Sequence, residues 1–544
     1  MAGQLNRPII IIDQERTAGK DAQSININAA KLVSDAVKTT LGPMGMDKML
    51  VNPVGDVVIT NDGATILTEL EIKHPAAKMM VEVAQTQEGR AGDGTTTAVV
   101  LAGELLGKAR ELMDEGVHAT TIETGYQMAA EKAVELLEEM AVTADESMLI
   151  KVARTSLSGK GAEMAIEPLA RACVDAAKMI EEGGVADIKE NINILHQRGG
   201  KMKDTEFVHG LVIDKARAHK NMPRRVENAR IAVLDVGIEV RKTKADSKIK
   251  IESPDQLREA IAEEQNLVRE MIDAFVKKGV NVVFTEKGID DISLHYLARR
   301  GILAIRRCKE EEIKKIAKAT GARVVSSIED ISQDDLGSAG LVEERGVGNY
   351  KMIYIEKCQD PKAVSILVRS GAEKVTEEVE RALDDALHAV SVVMEDKKIV
   401  PGGGAAEVEL ALRLREYANT LGGREQLAVL KFAEALEAIP SALAENSGLD
   451  AIDSLVELKS AHERGEKSAG LDIYTGKTVD MLEAGVVDPL RVKTQAIKSA
   501  ADAAVMILRV DDIFMAKETG MLDVKPEHRA DYYDGISPPP VEDY

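Results

Sequence analysis

The chain contains no tryptophan, five phenylalanines and nine tyrosines in 544 residues. That scarcity removes most of the aromatic platforms on which nucleic-acid bases stack. Cysteine is also scarce. Cys173, Cys308 and Cys358 stand far apart, with neither a CxxC pair nor a nearby histidine cluster; this argues against a disulfide framework or a zinc site and fits a reducing cytosol. Positive charge is in deficit, 70 Lys+Arg against 92 Asp+Glu for a net of -22, which argues against a nucleic-acid backbone or an anionic membrane as the main partner. Long apolar runs are missing too. The run at 9–12 is stopped at once by Asp13, far short of a signal-peptide core or a membrane span. The expectation is a soluble cytoplasmic protein with no nucleic-acid and no membrane partner.

Apolar residues make up 44% of the chain, enough for a globular protein. The length is too great for one ordinary core and predicts about three or four domains.

Residues 92–97 read GDGTTT, directly before the apolar run AVVLAGELL. Val99, Ala102, Leu105, Leu106, Ala109, Leu112 and Met113 recur at helical spacing, so a helix is predicted to begin near Thr95 with its first N–H groups unpaired. Those donors and the positive end of the helix dipole favour an anion. Gly92 and Gly94 let the backbone bend and approach a ligand closely, the hydroxyls add donors, and Asp93 offers the hard oxygen that magnesium prefers. On this hexamer alone, an ordinary N-cap on a core helix is the commoner reading.

The surrounding pattern places the motif. A helix is predicted over 29–40, with Leu32, Val33, Ala36 and Val37 on one face, broken at Gly42 and Pro43. A hairpin follows around 53–55, and NDG at 61–63 opens another helix. From 75 to 140 the pattern is helical apart from 89–94. Between 229 and 358, short β-branched runs (AVLDV, VNVVF, ILAIRR, ARVVSS) alternate with helical stretches, the signature of an α/β domain. Within it a polar segment, 241–252, leads to a helix start at 253–255. Leu257, Ile261, Leu267, Val268, Met271, Ile272 and Phe275 then follow at helical spacing, as a core stripe or a protruding element. Helix is predicted again over 372–394 and from 405 to 511, and the acidic, Pro-rich segment 530–544 reads as a disordered tail.

Familiar nucleotide and hydrolase motifs fail. GLDIYTGKT, at 470–478, has five residues between its glycines where a P-loop has four, SGKG at 158–161 lacks the Ser/Thr after Lys, and the glycines at 402–404 lack GxGxxG spacing. No H-E-x-x-H helix or Ser/His/Asp order is present.

What remains is a set of glycine-flanked polar turns whose order resembles the chaperonins. TLGPMGMDKML, NDGATIL, HPAAKM, GDGTTTAVVLAGELL, GKGAE, DDALHA, PGGGAAEVELALR, REQLAV, GLDIYTG and VVDPLRVKTQAIKSA carry the resemblance from near Asn28 to Asp511. HPAAKM, NDGATIL and the charged insertion near 244–276 are similar to the group II branch, the thermosome and its eukaryotic cytosolic relatives. The resemblance implies a multidomain fold: an all-α equatorial ATP-binding domain (1–149 and 405–544), a small α/β intermediate domain (150–217 and 370–404), and an α/β apical domain (218–369) whose helical protrusion at about 244–276 is a built-in lid. It implies an ATPase and chaperone of two stacked rings that encloses unfolded polypeptides, with prefoldin as a candidate partner and ATP and Mg²⁺ as cofactors.

It also implies roles. Asp93 is the magnesium ligand, Gly94, Thr95, Thr96 and Thr97 lie at the phosphates, and Asp62 is a second active-site carboxylate. Leu41, Gly42 and Pro43 line the nucleotide, Gly403 and Gly404 admit the ribose, and Asp488 accepts its hydrogen bonds. Lys160 senses the γ-phosphate. Asp384 and Asp385 are adjacent on one helix, where either is a natural solvated partner for Arg381; the match to D-A-L-H-A selects Asp385 as the group that orients the attacking water and takes its proton. Met44 stands where relatives carry Lys or Arg, and the C-terminus lacks a Gly/Met-rich tail. Two rival readings are a metabolic phosphotransferase and an ATP-hydrolysing ring without folding activity.

Overall fold

A computed structural model describes residues 14–52, 55–181, 188–198, 200–239, 254–347, 350–370 and 373–516. The run at 9–12, the polar approach 241–252 and the acidic tail 530–544 lie outside these residues.

Three large hydrophobic cores divide the described chain, with two small clusters beside them. The first is helical and joins the two ends of the sequence: Ile27 to Leu137 contribute one half and Val400 to Leu508 the other. At its centre runs the helix Thr95–Asp114, in which Ala98 through Gly103 are all buried. A helix that is apolar on every side must be enclosed, and helices Lys20–Lys38, Pro75–Ala91, Ala119–Met140, Glu425–Leu436 and Leu490–Leu508 surround it. The hairpin expected near 53–55 forms, Lys48–Val51 pairing antiparallel with Val57–Thr60.

The first helix differs from its sequence reading. It begins at Lys20, and Leu32 and Ala36 are exposed; the inward face is Ile27, Ala30, Val33, Ser34 and Val37. The cause is the central helix: a Cβ added to Gly103 would lie 2.3 Å from that of Ser34. The tight crossing selects a small polar residue, and a search for large apolar ones misses it.

The second core combines helices Glu146–Leu157, Ile166–Ile180 and Glu373–Asp396 with a three-stranded sheet. In that sheet Val364–Ser370 runs parallel to Ile192–Arg198 and antiparallel to Glu206–Val208. A second small sheet ties this core to the first: Lys398–Pro401 pairs with both Val142–Thr143 and Val487–Pro489, which sets Val400 opposite Asp488.

The third core is built on a seven-stranded mixed sheet. Arg225–Leu234, Val282–Thr285 and Leu303–Ile305 are parallel neighbours, while Gly337–Val347, Tyr350–Glu356 and Gly210–Ile213 extend the sheet antiparallel. The sheet thus takes in Gly210–Ile213, ahead of the boundary expected at 218. Val364–Ser370, which the boundary expected at 369/370 cuts and leaves mostly within 218–369, pairs in the second core.

The helix Pro254–Lys277 starts at the predicted proline. Its two halves differ. Gln256, Arg258, Ala262, Glu263, Gln265, Asn266 and Leu267 are exposed, whereas Val268, Ile272 and Phe275 are essentially fully buried in the third core. The stretch 244–276 is therefore not wholly a protrusion: its last two turns are core, because they pack on the helix Asp291–Arg299 and the sheet beneath.

Candidate functional site

The central helix of the first core starts at Thr95, and Gly94 takes φ 79°, a left-handed conformation cheap only for glycine. A side chain at Gly94 would also strike Val492 Cγ1 at 2.7 Å. The first helical bond runs from Ala98 N–H to Gly94 O at 3.0 Å, which leaves the N–H groups of Thr95, Thr96 and Thr97 without helical acceptors. These residues line a cleft of about 570 Å³ between the first and second cores.

Gln87 fixes the turn from behind. Fully buried, it donates through Nε2 to Asp93 O at 2.8 Å and to Val492 O at 3.0 Å. Asp93 itself is held at both oxygens: Gly94 N–H donates to Oδ1 at 2.7 Å and Ser156 Oγ–H to Oδ2 at 2.7 Å. Burial pushes its carboxyl up, but the Lys160 charge and these hydrogen bonds outweigh that and hold it below the usual carboxylate range.

Asp62 caps the short helix Gly63–Glu69, accepting from Thr65 N–H at 2.7 Å, and Oδ1 also accepts from Thr95 Oγ1 at 3.2 Å. The two glycine-flanked turns thereby share one wall.

The second core supplies the opposite wall. Gly159 and Gly161 both have positive φ, and Gly159 lies against Pro43, where an added Cβ would meet Pro43 Cα at 2.5 Å. Lys160 reaches across to Asp385 Oδ2 at 2.6 Å and Asp93 Oδ1 at 3.5 Å. Burial opposes its charge, but Asp385 and Asp93 outweigh the penalty and raise its pKa. Asp385 goes the other way: burial first, and then the charges of Asp93 and Asp62, raise its carboxyl well above the usual range despite Lys160. The solvated pairing with Arg381 does not form, since Arg381 binds Glu378 at 2.6 Å and donates to Ile59 O at 3.2 Å.

At the far end of the cleft, Gly403 and Gly404 have φ 60° and 80°, and added Cβ atoms would meet Met481 Sδ at 2.8 Å and Pro440 Cβ at 2.7 Å. A second helix, Ala405–Ala418, opens there. Asp488 faces the same space, with Lys493 Nζ 3.0 Å from Oδ2. Leu41, Gly42, Pro43 and Thr95 through Thr97 complete the lining; of the site residues expected from sequence, Asp385 alone is not part of that lining and is joined to it through Lys160.

Sequence reading missed several participants. Ser156 carries no motif signal. Gln87 has a faint one, a polar side chain at core spacing among Met80, Val83, Ala84 and Ala91. Leu471, Asp472 and Met481 come from the rejected GLDIYTGKT segment and its neighbour. That segment is a hairpin, Ala469–Asp472 with Lys477–Asp480, which closes one side of the cleft and is no P-loop.

Two helix N-termini, four half-buried carboxylates (Asp62, Asp93, Asp385 and Asp488) and two lysines (Lys160 and Lys493) suit a polyphosphate with a hard cation. Among the described residues no group of three His, Cys, Asp or Glu side chains is placed to cage a metal. An ion here would take most of its ligands from water and phosphate oxygens, as magnesium does. No described helix is long and apolar enough to cross a membrane.

Comparison with known proteins identifies the family. The sequence model of the TCP-1/cpn60 chaperonin family matches residues 33–518. Thermosome subunit beta of Archaeoglobus fulgidus is 54% identical over 525 residues, 95% of this chain and 96% of that protein. The thermosome subunit of Methanopyrus kandleri is 55% identical over 520 residues, covering 94% and 95%, and that of Pyrococcus horikoshii is 51% identical over 526, covering 95% and 96%. With a family match across most of its length, and relatives more than half identical over 94–95% of it, this chain belongs to the TCP-1/cpn60 chaperonin family, as a chaperonin of the group II, thermosome kind.

Proposed function

We propose that the chain is an ATP-hydrolysing chaperone subunit that encloses unfolded polypeptides in a chamber of two stacked rings and folds them in the cytoplasm, with prefoldin a candidate for delivering clients. The observation that carries the ATP-driven part is the triangle of Asp93, Lys160 and Asp385. Asp93 sits at a helix N-terminus of one core, and Asp385 is brought to it from another core by a single lysine.

ATP fits with its phosphates at Gly94 to Thr97 and its sugar toward Gly403, Gly404 and Asp488. The apolar end formed by Ile439, Leu443, Leu471 and Met481 suits a base. Asp93, kept charged by its partners, would hold a magnesium ion, which when bound supplies neutralising charge to phosphate oxygens. Asp62 shares a hydrogen bond with Thr95 and so stands at the same phosphates. Phosphoryl transfer needs positioning and charge more than covalent chemistry. Asp385, with its raised affinity for a proton, orients the attacking water and takes its proton; Lys160, charged and shared between two carboxylates, is the natural partner for the γ-phosphate.

The three cores correspond in this reading to equatorial, intermediate and apical domains. Asp385 lies on the helix Glu373–Asp396, packed in the same core as the strand Val364–Ser370, which leads directly from the apical sheet. Whatever moves Asp385 relative to Asp93 therefore moves the apical domain, and rings of such subunits have discrete open and closed arrangements. The first half of Pro254–Lys277, whose described side chains are exposed, is the proposed lid tip.

Refolding of a denatured client with and without ATP, together with electron micrographs of the purified protein, tests the proposal. Double-ring barrels and ATP-dependent recovery support it. Rings that hydrolyse ATP without recovery favour a ring without folding activity, and monomers that phosphorylate a small molecule favour the phosphotransferase.

A further inference from the structure

The far end of the cleft contains a buried charge cluster that nucleotide hydrolysis as described above does not use. Lys493, in the first turn of the helix Leu490–Leu508, places Nζ 2.7 Å from Glu407 Oε1 and 3.0 Å from Asp488 Oδ2. Its side chain is 13% exposed, that of Glu407 5% and that of Asp488 24%. Glu407 belongs to the helix Ala405–Ala418 that opens behind Gly404, and its Oε2 is buried with no partner among the described residues. Asp488 belongs to the strand Val487–Pro489. One ammonium thus ties a helix, a strand and a second helix together at the sugar end of the site.

The geometry is asymmetric at Asp488. Oδ2 is engaged by Lys493, whereas Oδ1 has no partner among the described residues and Asp488 lines the cleft. A free carboxylate would present either oxygen through two rotamers, and the buried Glu407 carboxylate beside Asp488 needs the Lys493 cation to stay charged. We propose that Lys493 is a positioning residue: anchored by Glu407, it pins one oxygen of Asp488 so that the other is presented as a single, correctly aimed acceptor for a sugar hydroxyl of the nucleotide. Lys493 and Glu407 then determine how strongly the site distinguishes a ribose from a sugar lacking its hydroxyls. The inference rests on the reading of Asp488 as the ribose acceptor.

The test compares the affinities of the assembled full-length protein for ATP and for 2′,3′-dideoxy-ATP by calorimetry. A hydrogen bond to a charged acceptor predicts that wild type prefers ATP by about 10- to 100-fold. In Lys493→Met that preference should collapse toward unity, with affinity for the dideoxy nucleotide nearly unchanged, and Lys493→Arg should restore much of it. Lys493→Met strands Glu407, so a paired variant, Lys493→Met with Glu407→Leu, removes both charges together and protects folding; it should lose the preference equally. Asp488→Asn serves as the reference. If Asp488→Asn abolishes the preference but both Lys493 variants keep it, Lys493 does not position Asp488 and the inference is overturned. If Asp488→Asn itself keeps the preference, the ribose reading of Asp488 fails and the inference falls with it. A purely structural role for Lys493 would weaken both nucleotides alike, and that outcome also overturns it.

Discussion

Replacing residues 244–276 by a short Gly/Ser linker separates two accounts of the helix Pro254–Lys277. If the whole stretch were a lid tip, its loss would leave the fold intact. The structure gives a different expectation, because the replaced segment includes Val268, Ile272 and Phe275, exposed by 0%, 1% and 0%. Losing a buried Val, Ile and Phe side chain together costs about 6–13 kcal/mol, and a domain's entire stability is about 5–15 kcal/mol. The third core should therefore unfold. A shorter replacement, 244–263, keeps Val268, Ile272 and Phe275, and the described side chains it removes, those of Gln256, Arg258, Ala262 and Glu263, are exposed. It should fold, form rings and turn over ATP within about twofold of wild type, since no residue of the cleft is touched. What it should lose is closure, so that a bound client stays protease-sensitive after ATP is added. Thermal melting and limited proteolysis report the first comparison, and client protection the second. If the long replacement melted like wild type, the burial argument would be wrong; if the short one still protected its client, the lid would lie elsewhere.

Other expectations follow from the cleft and its supports. Asp385→Ala should lower ATP turnover by roughly 10²- to 10⁴-fold, as for a lost general base, while ATP still binds through Asp93 and the helix N-terminus; near-normal single-turnover hydrolysis would remove Asp385 from that role. Gly92→Ala forces a left-handed alanine at φ 69° and sets a Cβ 2.2 Å from that of His388, on the same helix as Asp385. Its turnover should drop at least about tenfold and recover in part when His388→Gly is added, whereas no recovery would dissociate the clash from the defect. Glu409 is buried between His462, at 2.8 Å, and Arg413, at 3.1 Å. Burial alone would raise its carboxyl, but these partners hold it below its ordinary value. A depressed folded-state pKa gives stability that is present above the unfolded value and lost as pH falls through the folded one, by about 1.4 kcal/mol per pH unit. The melting temperatures of wild type and Glu409→Gln should accordingly converge below about pH 4.5, and a constant gap at all pH values would show that Glu409 is not titrating.

Much of the site was legible because its chemistry is local. Glycine followed by aspartate and a run of threonines marks a helix start within six residues, since the unpaired N–H groups and the left-handed glycine are properties of the backbone at that point, but its reading as an anion site over an ordinary N-cap needed the other glycine-flanked turns. The helix from Thr95 to Asp114, the hairpin after 48 and the alternation of strands and helices after 225 are set by periodicity in the same way. Periodicity failed at the first helix, where Leu32 faces outward, because a close crossing with Gly103 rewards Ser34 over a larger residue. It also could not divide the helix Pro254–Lys277 into a half whose described side chains are exposed and a half buried in the third core, since apolar spacing runs through both.

The sequence by itself determined the cleft's chemical vocabulary: an acidic residue at a helix start, small turns where backbone must come close, a lysine between glycines, and no aromatic or thiol chemistry. What only the tertiary structure decided is which of those groups meet. Asp93 and Asp385 are almost three hundred positions apart, and nothing local chooses Asp385 over Asp384. The choice is made by packing: one face of the helix Glu373–Asp396 is buried in the second core, which turns Asp385 toward Lys160 and leaves Asp384 half exposed. Ser156 meets Asp93 only because the second core packs on the first, and Gln87 and Lys493 meet Val492 and Glu407 because the first core brings together helices far apart in the chain. Long-range burial and charge pairing have no periodic signature along a chain, so they are settled by the fold.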